Sequence, residues 1–214
     1  MEMNQIMAED RLVVILRGVP ADMLCDVLDA MNDEGVRLAE ITYDTAGRIP
    51  AEETAAMIAN AVKHTEGRML IGAGTVLTER QLELTKEAGG RFIISPHTDA
   101  SLIRRTKELG LVSIPGSQTV SEIVTAMNAG ADYIKLFPVS ALGPSFVKNV
   151  MAPLNTAKLL AVSGANPTNI PDYLAAGCVG FGVGSGIVTP KLCAEGRLDV
   201  IAANARTYVK ACHV

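Results

Sequence analysis

Eight short apolar runs recur along this chain, each followed by a polar loop and a stretch of helical periodicity. They are Leu12–Leu16, Leu38–Thr42, Met69–Gly72, Phe92–Ser95, Leu111–Ile114, Tyr133–Phe137, Leu159–Val162 and Val179–Val183. Their length and their flanking turn residues mark them as buried strands. Helices are expected between them, at Met23–Asn32, Ala51–Val62, Glu79–Ala88, Ala100–Leu109 and Val120–Asn128. Gly35, Gly89, Gly110, Gly130 and Gly177 stand where helix C-caps belong, and Thr78-Glu79 and Thr119-Val120-Ser121-Glu122 read as helix starts. Strict alternation of this kind implies a parallel sheet with helical crossovers. Eight repeats within 214 residues fit one α/β domain over residues 1–214, a (β/α)8 TIM barrel. An open doubly wound sheet shares the alternation and is the alternative. The segment before Arg11 reads as a short N-terminal helix over the bottom of the barrel.

Composition narrows the function by exclusion. The chain is 49% hydrophobic and 20% charged, so a sizeable core is expected. Its net charge is −4, and the basic residues never cluster beyond the pair Arg104-Arg105. Nucleic acid and anionic membrane are therefore not expected partners. Met1–Asp10 lacks the apolar core of a signal peptide, and no stretch approaches the roughly 18 apolar residues of a membrane span. Cys25, Cys178, Cys193 and Cys212 show no C-x-x-C spacing and read as reduced thiols in a cytoplasmic protein. His64, His97 and His213 lie far apart, so no metal site and no cofactor are expected.

Lys135 breaks the pattern of the sixth run. It is one cation inside the segment Tyr133-Ile134-Lys135-Leu136-Phe137. Burying an unpaired ammonium costs several kcal/mol, against a total stability of roughly 5–15 kcal/mol. Desolvation lowers the pKa of such an amine and frees it to attack a carbonyl and form an imine. The plainer possibility is an amine that snorkels to the strand's end or pairs with a carboxylate for structural purposes. Strand alternation supplies the carboxylate. Leu38, Glu40 and Thr42 share one face of the second run, and Tyr133, Lys135 and Phe137 share one face of the sixth. Even-numbered strands of such a barrel feed the same interior layers, so Glu40 and Lys135 can face each other. A proton-shuttling carboxylate opposite a desolvated lysine is the minimum equipment for imine chemistry. A buried structural ion pair is the other reading.

Two glycine-containing loops follow the last two runs, Ser163-Gly164-Ala165-Asn166-Pro167 and Gly182-Val183-Gly184-Ser185-Gly186. These are the usual phosphate positions of the fold, where small residues let backbone N–H groups approach an anion. The same glycines could simply make tight turns. A dinucleotide site is disfavoured, because the motif lies on the last βα unit with no downstream strand and acidic partner.

The chain resembles the class I aldolases for 2-keto-3-deoxy-6-phosphogluconate, 2-keto-3-deoxy-6-phosphogalactonate and 4-hydroxy-2-oxoglutarate. The resemblance runs from about Arg11 to Val188. It is carried by Ile15-Leu16-Arg17-Gly18, Glu40-Ile41-Thr42, Gly72-Ala73-Gly74-Thr75-Val76, Ser95-Pro96, Ile114-Pro115-Gly116 and Ile134-Lys135-Leu136-Phe137-Pro138. The stretch Ser140-Ala141-Leu142-Gly143-Pro144 is most similar to the phosphogalactonate branch. The resemblance implies that Lys135 forms a Schiff base with a 2-keto acid and that Glu40 is the general acid/base, acting through a water. It implies that Thr75 orients that water or the substrate and that Arg17 holds the substrate carboxylate. Pro96, Pro115 and Phe137 would shape the wall, and Ser163, Gly164, Gly184 and Ser185 would cradle the phosphate. It implies release of pyruvate and an aldehyde, and a homotrimer.

The chain departs from the family pattern in three places. Tyr43-Asp44 stands where many members carry Arg or Asn, and a carboxylate there would repel an anionic substrate unless turned away. Ser163 replaces the first of two adjacent glycines, and His97 replaces a small or amide residue. These leave the chemistry intact and the exact acid open. Two other functions share the barrel: a phosphate-binding barrel that works without an imine, such as a sugar-phosphate epimerase or a thiamine-phosphate synthase relative, and a non-catalytic sugar-acid binder. The first needs metal-binding or pyrophosphate-binding side chains at the strand ends, and the second has no use for a buried Glu–Lys pair.

Overall fold

The computed structural model describes residues 2–213. Among them nine parallel strands follow the order β5-β4-β3-β2-β1-β9-β8-β7-β6. The strands are β1 Leu12–Leu16, β2 Leu38–Thr42, β3 Leu70–Gly74, β4 Phe92–Ile94, β5 Val112–Ile114, β6 Gly116–Ser117, β7 Ile134–Leu136, β8 Leu159–Val162 and β9 Gly180–Val183. The ninth strand arises because the fifth apolar run is split in two. Pro115 sits between β5 and β6 and has no N–H to give to a ladder. Below it β5 pairs with β4, and above it β6 pairs with β7. The two ends of the strand order are thus consecutive pieces of one segment, and the sheet closes through Pro115. The architecture is the eight-unit barrel expected, not the open sheet.

Helices flank the strands: α2 Leu24–Asn32, α3 Ala51–His64, α4 Glu79–Glu87, α5 Ala100–Glu108 and α6 Val120–Asn128. The second half adds α7 Gly143–Met151, α8 Ile170–Ala176, the short α9 Pro190–Ala194 and the closing α10 Leu198–Cys212. Thr78 and Thr119 each form a capping box, with Gln81 and Glu122 respectively. The glycines at 89, 110 and 130 follow their helices with φ of 83°, 71° and 95°, a region that costs other residues strain.

Apolar burial divides into two layers. The larger lies between the sheet and the helices, with Leu24, Ile58, Leu82, Ile123 and Ile201 wholly buried. The smaller fills the lumen and holds Val13, Leu38, Phe92, Ile114, Leu160 and Val162. Phe92 enters the lumen because Gly72 lacks a Cβ that would collide with its ring. The first helix, α1 Met3–Asp10, buries Met3, Ile6 and Met7 against this lumen core. It closes the N-terminal end and leaves the C-terminal end to the loops.

Candidate active site

Glu40 projects from the middle of β2 and Lys135 from the middle of β7, and both point into the lumen. They are 1% and 5% exposed, buried to a degree charged side chains almost never reach without a task. Together with Ile15, Ile94, Ile114 and Val162 they line a void of about 10 Å³, the room a single water needs. A Cβ on Gly74 would lie 2.6 Å from the Glu40 carboxyl carbon, so that glycine is required for the carboxylate to sit there. The Glu40 Oε2 atom is buried with no hydrogen-bond partner.

Burial governs both pKa values. It pushes the Glu40 carboxyl up to about 7, against the opposing pull of Lys135 and Arg17. Burial likewise lowers the Lys135 ammonium; Glu40 opposes that shift and Arg17 adds to it. The Lys135 Nζ lies 4.7 Å from the centre of the Phe137 ring, which gives the cationic form a soft partner without a hydrogen bond. The lysine therefore exchanges its proton more readily than a surface amine, beside a carboxyl poised to take or give one. That is the equipment for adding an amine to a carbonyl and then expelling water.

Lys135 and Ile15 also line a cavity of about 750 Å³ that opens at the C-terminal end of the barrel. Arg17, Phe137, Ser163, Gly184 and Ser185 contribute to its walls. Arg17 follows β1 and donates a 3.2 Å hydrogen bond from Nη2 to the Thr75 hydroxyl. Thr75 and Ser163 hold φ of 57° and 63°, left-handed values that cost a non-glycine residue roughly 1–2 kcal/mol. The loop after β8 is pinned where Ser140 N–H donates to the Ser163 carbonyl at 2.9 Å and Asn169 Nδ2 to the Gly164 carbonyl at 2.9 Å. A Cβ on Gly164 would lie 2.7 Å from the Ser140 nitrogen.

A family model for KDPG and KHG aldolases matches residues 3–204. The chain belongs to that family. It is 36% identical over 187 residues to the "Probable 2-dehydro-3-deoxy-6-phosphogalactonate aldolase" of Rhizobium meliloti (strain 1021), covering 87% of this chain and 85% of the relative. It is 33% identical to the 2-dehydro-3-deoxy-6-phosphogalactonate aldolase of Escherichia coli (strain K12), covering 94% and 95%. Among solved structures, one described as native KDPGal superposes with a TM-score of 0.84 at 33% identity, covering 94% and 93%. The protein is an aldolase, and so a lyase.

Of the residues singled out from the sequence, Glu40, Lys135, Arg17, Phe137, Ser163, Gly184 and Ser185 converge on the two spaces, which share Ile15, Lys135 and Val162 in their walls. Thr75 touches the cavity through Arg17. Pro96 and Pro115 do not line either space. The Pro115 carbonyl accepts from the Lys135 N–H at 2.8 Å, and the Pro96 carbonyl packs where a Gly116 side chain would be. Both act through backbone. Gly164 does not line either space; it follows Ser163 in the same loop and packs against Ser140.

The departures at 43, 44 and 97 resolve structurally in this aldolase. Tyr43 is 2% exposed and donates to the Gln81 carbonyl at 3.0 Å, so it anchors β2 to α4 and faces away from the cavity. His97 is exposed in its loop. Asp44 is folded into the loop after β2, where it accepts from the N–H groups of Ala46, Arg48 and Ile49 and from the Arg48 guanidinium. That guanidinium, with the backbone donors, holds the Asp44 carboxyl well below the usual carboxylate range. Sequence reasoning passed over Arg48, Ile49 and Thr189, which line the cavity. The available signal for Arg48 was its spacing of four from Asp44.

Proposed function

We propose that this aldolase works by a Schiff base on Lys135 and cleaves a 2-keto-3-deoxy-6-phospho sugar acid, of the phosphogalactonate or phosphogluconate type, to pyruvate and an aldehyde. The observation that carries the reading is Lys135 and Glu40 buried together around one small void in the lumen of the barrel. Relatives named for phosphogalactonate and for KHG/KDPG, each at least 33% identical, support the substrate class.

In this reading the neutral Lys135 amine attacks the C2 carbonyl, and Glu40, through a water, protonates the departing hydroxide to leave the imine. Arg17 meets the C1 carboxylate, a job that suits its forked donors. Glu40 then takes the C4 hydroxyl proton as the C3–C4 bond breaks. The electron pair flows into the protonated imine to give an enamine, and the aldehyde departs. Protonation at C3 and hydrolysis return pyruvate and the free lysine. Thr75 steadies Arg17, Phe137 packs beside the imine with Pro96 and Pro115 fixing that wall from behind, and Ser163, Gly164, Gly184 and Ser185 cradle the phosphate. We further infer a homotrimer in the cytoplasm. A chain 33% identical to this one, with a TM-score of 0.85, forms part of a protein cage designed by fusing symmetric oligomeric domains. No helix among the described residues is long and apolar enough to cross a membrane.

Borohydride reduction in the presence of pyruvate, followed by mass mapping, tests the central step. A stable adduct on the peptide containing Lys135 is expected. A folded protein that gives no adduct would make the Glu40–Lys135 pair a structural one and overturn the reading.

A further inference from the structure

Three cations line the main cavity, and two of them are committed to one end of the substrate. In the reading above Lys135 takes C2, and Arg17, tied to the Thr75 hydroxyl, takes the C1 carboxylate. Ser163, Gly184 and Ser185, which the same reading assigns to the phosphate, bring no charge to the cavity wall. A phosphate dianion held by neutral groups alone lacks a counter-charge. Arg48 is the third cation. It lines the same cavity from the loop after β2, with its side chain 80% exposed.

We propose that Arg48 is the ligand for the distal anion of the substrate, the phosphate at the far end from the imine, and that Asp44 parks it until substrate arrives. The identity of the substrate rests on the aldolase reading above; the anion-binding role rests on the loop itself. Asp44 accepts from three backbone N–H groups of its own loop, at 2.8 to 3.3 Å, besides the Arg48 Nε and Nη2 at 3.2 and 3.1 Å. When the guanidinium leaves, those amides keep the carboxylate satisfied. The Arg48 end of the pair is open to water, where ion pairs hold weakly, so a dianion can compete with Asp44 for it. The ends of the loop are fixed by buried Tyr43 and by Pro50 at the start of α3, so only the short tip that carries Arg48 need move.

The test compares wild type with Arg48→Gln and Arg48→Lys in three measurements. Binding of inorganic phosphate is followed by calorimetry, KM is measured for the phosphorylated acid and for its dephosphorylated form, and pyruvate is trapped with borohydride. Arg48→Gln should weaken phosphate binding and raise KM for the phosphorylated acid by about 10- to 100-fold, the weight of a hydrogen-bonded charge. Pyruvate trapping and KM for the dephosphorylated acid should stay as in wild type, and Arg48→Lys should recover part of the loss. Equal phosphate affinity in wild type and Arg48→Gln, or equal losses on both acids, would overturn the proposal. If wild type traps no pyruvate, the aldolase reading fails, and the phosphate titration still decides the role of Arg48.

Discussion

The two ends of the barrel are built on the same strands and treat polar groups in opposite ways. Arg37, just before β2, donates to both Asp10 oxygens and to Glu9, all at 2.6 Å. Three residues further along, Glu40 is buried with one oxygen unpartnered. Tyr133, just before β7, donates to Asn4 Oδ1 at 2.7 Å, and two residues on Lys135 has a ring beside it and no hydrogen-bonded carboxylate. Each end carries a cavity lined by two or more cations, about 430 Å³ around Arg11 and Lys158 below and 750 Å³ above. Concavity and positive charge do not distinguish them. Buried charge left incompletely paired does, because in a low dielectric it is costly to keep and reactive when kept.

Removing the reactive amine should give the largest effect. Lys135→Met keeps the volume and loses the nucleophile, so turnover should fall by at least about 10⁴-fold, the scale on which lost nucleophiles are measured. Pyruvate trapping should vanish while circular dichroism and melting stay close to wild type. The variant removes one of two buried charges, and Glu40 can meet the change by protonating. Retained turnover would show that the C-terminal end differs from the N-terminal end in polarity alone.

A pH-dependent effect should follow at Glu40. Burial raises its carboxyl in the fold to about 7 from 4.5, so the folded state holds this proton more tightly than the unfolded chain. The stability that proton contributes is complete below pH 4.5 and is lost as pH rises to 7. Glu40→Gln has no such proton to lose. Its stability relative to wild type should therefore climb between those values, by roughly 1–3 kcal/mol, and level off above them. Denaturant melts at pH 5 and pH 8 read the difference directly. The same variant should lose about 10²- to 10⁴-fold in kcat, the usual weight of a general acid/base. A relative stability that does not change with pH would mean that Glu40 stays charged in the fold.

Much of this contrast could be read before the fold was seen, and the reason is local. Lys135 is a cation within a strand-length apolar run, and Glu40 shares the inward parity of its own run. Alternation extended by one residue would also have turned Tyr43 outward with Ile41 and Ala39, where the structure puts it. What escaped depends on how segments fold back. The break of the fifth run into β5 and β6 needs a missing N–H at Pro115 and two different neighbours, and only the closed ladder shows both. Arg48 lies eight residues past Glu40 along a loop with no periodicity. It reaches the cavity because Asp44 gathers three amides and draws the loop back on itself. Pro96 and Pro115 stood out as wall residues, yet their carbonyls, not their rings, meet Gly116 and Lys135.

The smallest effect should come from the paired end. Arg37→Met strips the Asp10 carboxylate, whose side chain is only 10% exposed, of its bidentate partner while keeping the aliphatic stem. Stability should drop by about 1–3 kcal/mol, the cost of leaving a mostly buried charge without its donor. Turnover and pyruvate trapping should match wild type, because Arg37 reaches the reactive end only through the backbone of β2. That backbone is held in register by β1 and β3 on either side, with Glu40 opposite Ile15 and Gly72. A drop in kcat with Arg37→Met would mean that the ladder transmits a shift along β2 to Glu40, and the separation between a structural end and a reactive end would fail at that strand.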